Sequence, residues 1–228
     1  MPSACAGAWS AARGWAESTP DGFQVYPKFP QEISHRLLPF GRVNEARALA
    51  GKFFGALEVM GTRLGCAFLQ LPKDFAASGL ANLRAFTEGW PAQVPLAIEF
   101  RSAYCFEDGH LRPEFEELLR TRGFGTVITD TPGRRDACHG TLTAPFVMVR
   151  FVGHELHETD DLRIEAWAER LLEWRSIGVS RVGFFIHQPE EQTSPELCDR
   201  LTRALYRAGL AGLTSWKDVE VPGQAALF

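Results

Sequence analysis

A chain of 228 residues, 45% hydrophobic and 23% charged, has the make-up of one soluble domain with a sizeable core, and (β/α) barrels begin at about 200 residues. Its net charge of −4 excludes coating of nucleic acid by bulk charge and leaves only a local basic pocket for an anionic partner. Five scattered cysteines without C-x-x-C spacing argue against a disulfide framework or zinc knuckle and point to the reducing cytoplasm.

No run approaches the roughly 20 apolar residues of a membrane span, so no membrane partner is expected. The first residues have neither the basic leader nor the apolar run of a signal peptide. A short helix over 8–17 ends at the turn Thr19-Pro20-Asp21-Gly22, and 23–30 follows as a strand whose prolines suit only its end or a bulge. Ala46, Leu49, Phe53, Leu57 and Met60 have helical spacing over 43–60, before the apolar strand 64–72. Helix 77–89 precedes strand 94–101, and helix 111–121 precedes strand 125–130. After a polar loop come strand 146–153, helix 161–177 stopped by Gly178, and strand 181–188. The last helix opens with Ser194 as N-cap and Pro195 at its first position. About six apolar strands separated by helices predict an α/β protein with a parallel sheet, read as an incomplete TIM-type (β/α) barrel over 1–212 with an extension over 213–228.

Polar residues recur at the strand ends: Lys28, Gln70, Glu99 with Arg101, Asp130, Arg150, and His187. In a parallel barrel those ends share the rim where active sites sit. Glu99 and Arg101, two apart on one strand, face the same side: a general acid/base or metal ligand beside an anion holder, or a structural ion pair. Lys28, Arg101 and Arg150 form either a clamp for phosphate or carboxylate or a set of counter-charges for Glu99 and Asp130. Asp130 leads into a loop with Arg134 and Arg135, which either grip phosphodiester or ribose groups or brace the loop. His187 is read as a proton carrier or metal ligand, against a satisfied core histidine, and His35 as a further substrate contact. Gln70 is read as a substrate contact that mainly supports the rim. His154-Glu155-Leu156-His157 falls one residue short of a zinc-binding H-E-x-x-H helix and is read as solvated surface. Walker, Rossmann and Gly-x-Ser-x-Gly motifs are absent, so those routes to catalysis are disfavoured.

Ordered segments then carry a family likeness: WAESTPDGF at 15–23, PKFPQEISH at 27–35, LQLP at 69–72, EFR at 99–101, TDTPGRRD at 129–136, VRFVGH at 149–154, FFIHQP at 184–189 and SPEL at 194–197. Together they resemble the YecE-like family, known as domain of unknown function 72, over about residues 9–212. The resemblance implies a TIM barrel. It also implies two earlier strands, reading like GTSGW and VEIN, that this chain lacks, together with a family glutamate on the rim. A start codon assigned too late is the preferred explanation, ahead of a true truncation or edges covered by another chain.

The chain ends Gln224-Ala225-Ala226-Leu227-Phe228 after Val221-Pro222-Gly223. This is similar to the Q-x-x-L-F peptides that dock into the bacterial sliding clamp, with Leu227 and Phe228 as apolar anchors and Gln224 as a register contact. The alternative is a tail folded back on the barrel. The leading expectation is a hydrolase on a phosphate-containing or nucleic-acid substrate linked to DNA processing. In it Glu99, Asp130 and His187 are the acid/base groups, or the ligands of a divalent metal. A barrel that binds a ligand or partner without chemistry is the alternative, and a glycosidase with Glu99 and Asp130 as paired carboxylates is a third.

Overall fold

The computed structural model describes residues 12–210 and 212–218. A helix over 12–18 runs through a turn, with Gly22 at φ 83°, into an extended segment. That segment joins the sheet through two parallel bridges, Val25 to Leu64 and Lys28 to Phe68, rather than as a full strand over 23–30. Pro27 and Pro30 are the cause, since neither has an N–H for the ladder. The Pro27 carbonyl still accepts from the Phe68 amide at 2.9 Å.

A wide helical turn, Glu32–Leu37, leads to α1 (Val43–Glu58), β1 (Ala67–Gln70), α2 (Ala77–Phe86) and β2 (Leu96–Glu99). A small hairpin, β3 (Phe106–Glu107) with β4 (His110–Leu111), then precedes α3 (Pro113–Arg122). This hairpin corrects the expectation of a helix from residue 111. Asp108 and Gly109 supply the positive φ of its tight turn, and Pro113 is the residue that starts the helix. Next come β5 (Gly125–Asp130), β6 (Phe146–Val152), α4 (Glu158–Ser176), β7 (Arg181–His187) and α5 (Ser194–Arg207). The N-cap position of α5 is Thr193, not Ser194, and Ser194 instead donates its hydroxyl to Glu191 at 2.8 Å.

The main sheet runs β1-β2-β5-β6-β7, all parallel, with residues 25–28 beside β1. Both faces are apolar up to the carboxyl ends of the strands, as a parallel sheet requires. On the outer face Leu69, Leu96 and Ile98 pack with Phe29, Leu83 and Phe115, while Val147, Val149 and Phe151 meet Ile164, Trp167 and Leu201 of the last two helices. The inner face holds Cys66, Phe68, Ala97, Val127 and Met148, capped by Tyr26, Phe146 and Phe185.

Tyr26 and Phe185 belong to opposite ends of the sheet, yet their rings lie 5.0 Å apart, edge to face. Gly183 permits this approach, because a Cβ there would fall 2.7 Å from the Tyr26 ring. The sheet is therefore curled into a half-barrel whose ends meet through side chains. Among the described residues no helix is long and apolar enough to cross a membrane.

One buried histidine ties pH to this fold. His139, 1% exposed, lies against Phe106, and its Nδ1 accepts from the Thr141 amide. Burial pushes its pKa down to about 3. The unfolded chain takes up that proton near pH 6.5 and the folded chain only near 3, so the stabilisation is complete above about pH 6.5 and declines as pH falls. Urea unfolding between about pH 6.5 and 4 is expected to show a slope of up to about 1.4 kcal/mol per pH unit that His139→Gln loses. An identical slope in that variant would assign the proton elsewhere.

Candidate functional site

Strand alternation puts one residue of each central strand on the inner face in the same layer. Beyond the apolar inner-facing residues Phe68, Ala97, Val127 and Met148 come Gln70, Glu99, Thr129 and Arg150; the registers pair Gln70 with Glu99 and Thr129 with Arg150, while Glu99 pairs with Val127 and meets Thr129 by a hydrogen bond. Lys28 reaches the same layer from the bridged segment.

Glu99 is the centre of this layer and has no exposed surface. Arg150 donates Nη1 to both of its oxygens at 2.8 Å. Gln70 Nε2 donates at 2.9 Å and Thr129 Oγ1 at 3.1 Å. The Arg101 guanidinium adds a charge 3.9 Å away. Gln70 turns its other end to Lys28, whose Nζ donates to Gln70 Oε1 at 2.7 Å. A buried carboxylate is tolerated only when its charge and lone pairs are met in this way.

The neighbourhood is strongly positive. Partial burial holds the Lys28 ammonium below its ordinary pKa; Glu99 opposes the shift, and Arg150 and Arg101 add to it. His35 is likewise lowered, first by burial and then by the charges of Lys28 and Arg101, with Asp74 opposing. Its imidazole is therefore neutral at neutral pH, and its Nδ1 shares a 2.7 Å hydrogen bond with Ser34 Oγ.

Asp130 does not join this cluster. It follows Thr129 on β5 and so faces the outer side, where it is 1% exposed under α4. Trp167 Nε1 donates to it at 2.7 Å, Arg135 pairs with it at 2.6 Å and Arg163 at 3.0 Å. Arg163 also reaches Asp160 and the carbonyls of Asp130 and Val152. The expectation of Asp130 as an acid/base partner of Glu99 is thereby corrected, and a paired-carboxylate glycosidase loses its geometry. Arg135 belongs to this outer brace, and Arg134 supports the rim by donating to the Arg101 carbonyl at 2.9 Å.

His187 shares the inner-facing set of β7 with Phe185, one step beyond Arg150 in the β6 register. Its Nδ1 lies 3.5 Å from Glu191 rather than at Glu99. His157 serves as the N-cap of α4, accepting from the Thr159 amide. Among the described residues no three His, Cys, Asp or Glu side chains are grouped to hold a metal. Both oxygens of Glu99 are taken by an arginine, an amide and a hydroxyl, with further cations close by, a set unsuited to a divalent ion. Thr129 was not singled out from sequence, although it precedes Asp130 in the TDTPGRRD segment and strand alternation assigns it the opposite face. Gln224, Leu227 and Phe228 lie outside the described residues.

The family profile for "Protein of unknown function DUF72" matches residues 8–218. This chain belongs to the DUF72 family. It is similar to the UPF0759 protein YecE of Escherichia coli K12, 26% identical over 211 residues, 85% of this chain and 75% of that one. The same protein in strain O157:H7 matches equally. A crystal structure of a DUF72 family protein from Thermotoga maritima aligns over 88% of this chain and 78% of its own, with a TM-score of 0.62 at 21% identity, a likeness of fold.

Within this DUF72 chain each buried carboxylate balances at least one arginine. Glu99→Gln is expected to cost about 2–4 kcal/mol, because the partly buried Arg150 loses its counter-charge, and Asp130→Asn about 1–3 kcal/mol, because Arg163 keeps Asp160 and Arg135 is largely exposed. Urea unfolding measures both, and losses below about 1 kcal/mol would show that neither carboxylate holds its network together.

Proposed function

We propose that the protein binds an anionic, phosphate-containing ligand at the carboxyl ends of its parallel strands. The observation that supports this is the buried Glu99 holding Arg150, with Lys28 and Arg101 beside it and no second carboxylate facing the layer among the residues bonded there. The parallel strand order, the alternating helices and the layered inner face support reading the sheet as a TIM-type barrel wall with about six of eight strands.

Hydrolysis of the bound ligand is the enzymatic form of this reading. Glu99 would then orient the cations, since its oxygens are taken, and proton transfer would fall to His35, neutral at neutral pH and close enough to Lys28 to feel its charge. His187 is the second candidate at the rim. Binding without turnover is favoured by the same saturation of Glu99.

Inorganic phosphate titrated into the full chain at low salt is expected to bind saturably, and at least about tenfold more weakly when Lys28 and Arg101 are both changed to Met. Absence of saturable binding would overturn the site. Turnover of p-nitrophenyl phosphate or its bis-ester, abolished in His35→Gln, would support the hydrolase form, whereas binding without turnover would leave the binding form.

The terminal peptide Gln224–Phe228 carries the proposed link to DNA processing, by docking into a sliding clamp. Deletion of residues 224–228 is expected to abolish clamp binding measured by surface plasmon resonance. Equal binding in both forms, or none in either, removes this link.

A further inference from the structure

Charge at the Glu99 layer is unevenly matched. Arg150 and Glu99 neutralise one another through two 2.8 Å hydrogen bonds. Arg101 stands 3.9 Å from the same carboxylate, beyond hydrogen-bond reach, with about a third of its side chain exposed. The acceptor of Lys28 is the neutral amide oxygen of Gln70. Three cations against one carboxylate leave two positive charges without a partner of their own in the layer. Partial burial is the first cause of the lowered basicity of Lys28, and the neighbouring charges of Arg150 and Arg101 add to it against the opposing Glu99. His35, beside them, adds a neutral ring, and the acidic group it senses is the exposed Asp74.

We propose that this site prefers a terminal phosphate monoester, which carries two negative charges, over a phosphodiester or carboxylate, which carries one. The proposal rests on the anion-binding reading above and narrows it to a class. Lys28 and Arg101 would each take one of the excess charges, leaving the layer neutral once the ligand is seated. A monoester also presents three terminal oxygens as acceptors, against two unesterified oxygens on a diester, and Lys28 and Arg101 are the cations beside the layer to meet them. An extra charge pair about 4 Å apart contributes at least about 1 kcal/mol even in bulk water, a factor of about five in affinity, and more where water is partly excluded.

Calorimetric titration of the full chain at about pH 7.5, where a monoester is largely dianionic, compares methyl phosphate, dimethyl phosphate and acetate. Methyl phosphate is expected to bind at least about fivefold more tightly than the other two. Arg101→Met, at a partly exposed position, is expected to shrink that preference to about twofold or less while methyl phosphate still binds. Equal affinities for methyl phosphate and dimethyl phosphate would overturn the preference and leave the anion site intact. No binding of any of the three would remove the anion site and the preference together.

Discussion

A carboxylate with no exposed surface must have its charge answered inside the protein, because desolvation of an unpaired ion costs more than a domain of this size can offset. Glu99 meets that constraint by drawing donors from both neighbouring strands and from β6. The consequence is geometric as well as energetic. Arg150 is held with its Nη1 between two oxygens, Gln70 has its amide orientation decided, and Arg101 is kept within Coulomb range without a hydrogen bond of its own. Relaxing any strand register by one residue would turn these donors to the outer face and leave the charge stranded.

Asp130 solves the same problem on the other side of the sheet. Its partners, Arg163 and Trp167, come from α4, and Arg163 goes on to Asp160 and two strand carbonyls. This network fastens the helix to the ends of β5 and β6. Two neighbouring strands thus end in buried acids with different consequences. One fixes cations around the barrel mouth, and the other fixes a helix behind it. Arg163 also lies 4.1 Å over the Phe151 ring, which adds a packing contact to the charge pairing.

Six apolar runs in the sequence mark the six places where chain and sheet meet, since a parallel sheet buried on both faces leaves long apolar segments. The strand-end position of Lys28, Gln70, Glu99 and Arg150 was equally legible, and the structure joins those four through hydrogen bonds. Legibility fails where facing depends on a single residue of phase. Asp130 and Thr129 are adjacent, and which one looks inward follows from pairing with β6, which the sequence of β5 alone does not contain. The β3–β4 hairpin escaped notice because its strands are two residues each, too short for any alternation to show. Prolines gave a fair warning about residues 23–30, where the ladder is reduced to two bridges.

Gln70 shows how tightly the cluster is specified. Its Oε1 accepts from the Lys28 ammonium and its Nε2 donates to Glu99, so a cation on one side and a carboxylate on the other leave one amide orientation. A glutamate there would set two carboxylates against each other, and a leucine would leave Lys28 without its acceptor. Lys28 itself arrives from a segment held by two bridges and by Tyr26, whose ring rests between Gly65 and Gly183 and meets Phe185 edge-on. The apolar contact that draws the ends of the sheet together is thus one layer below the polar group that the same segment delivers. Curvature of the sheet and placement of the Lys28 charge share one cause.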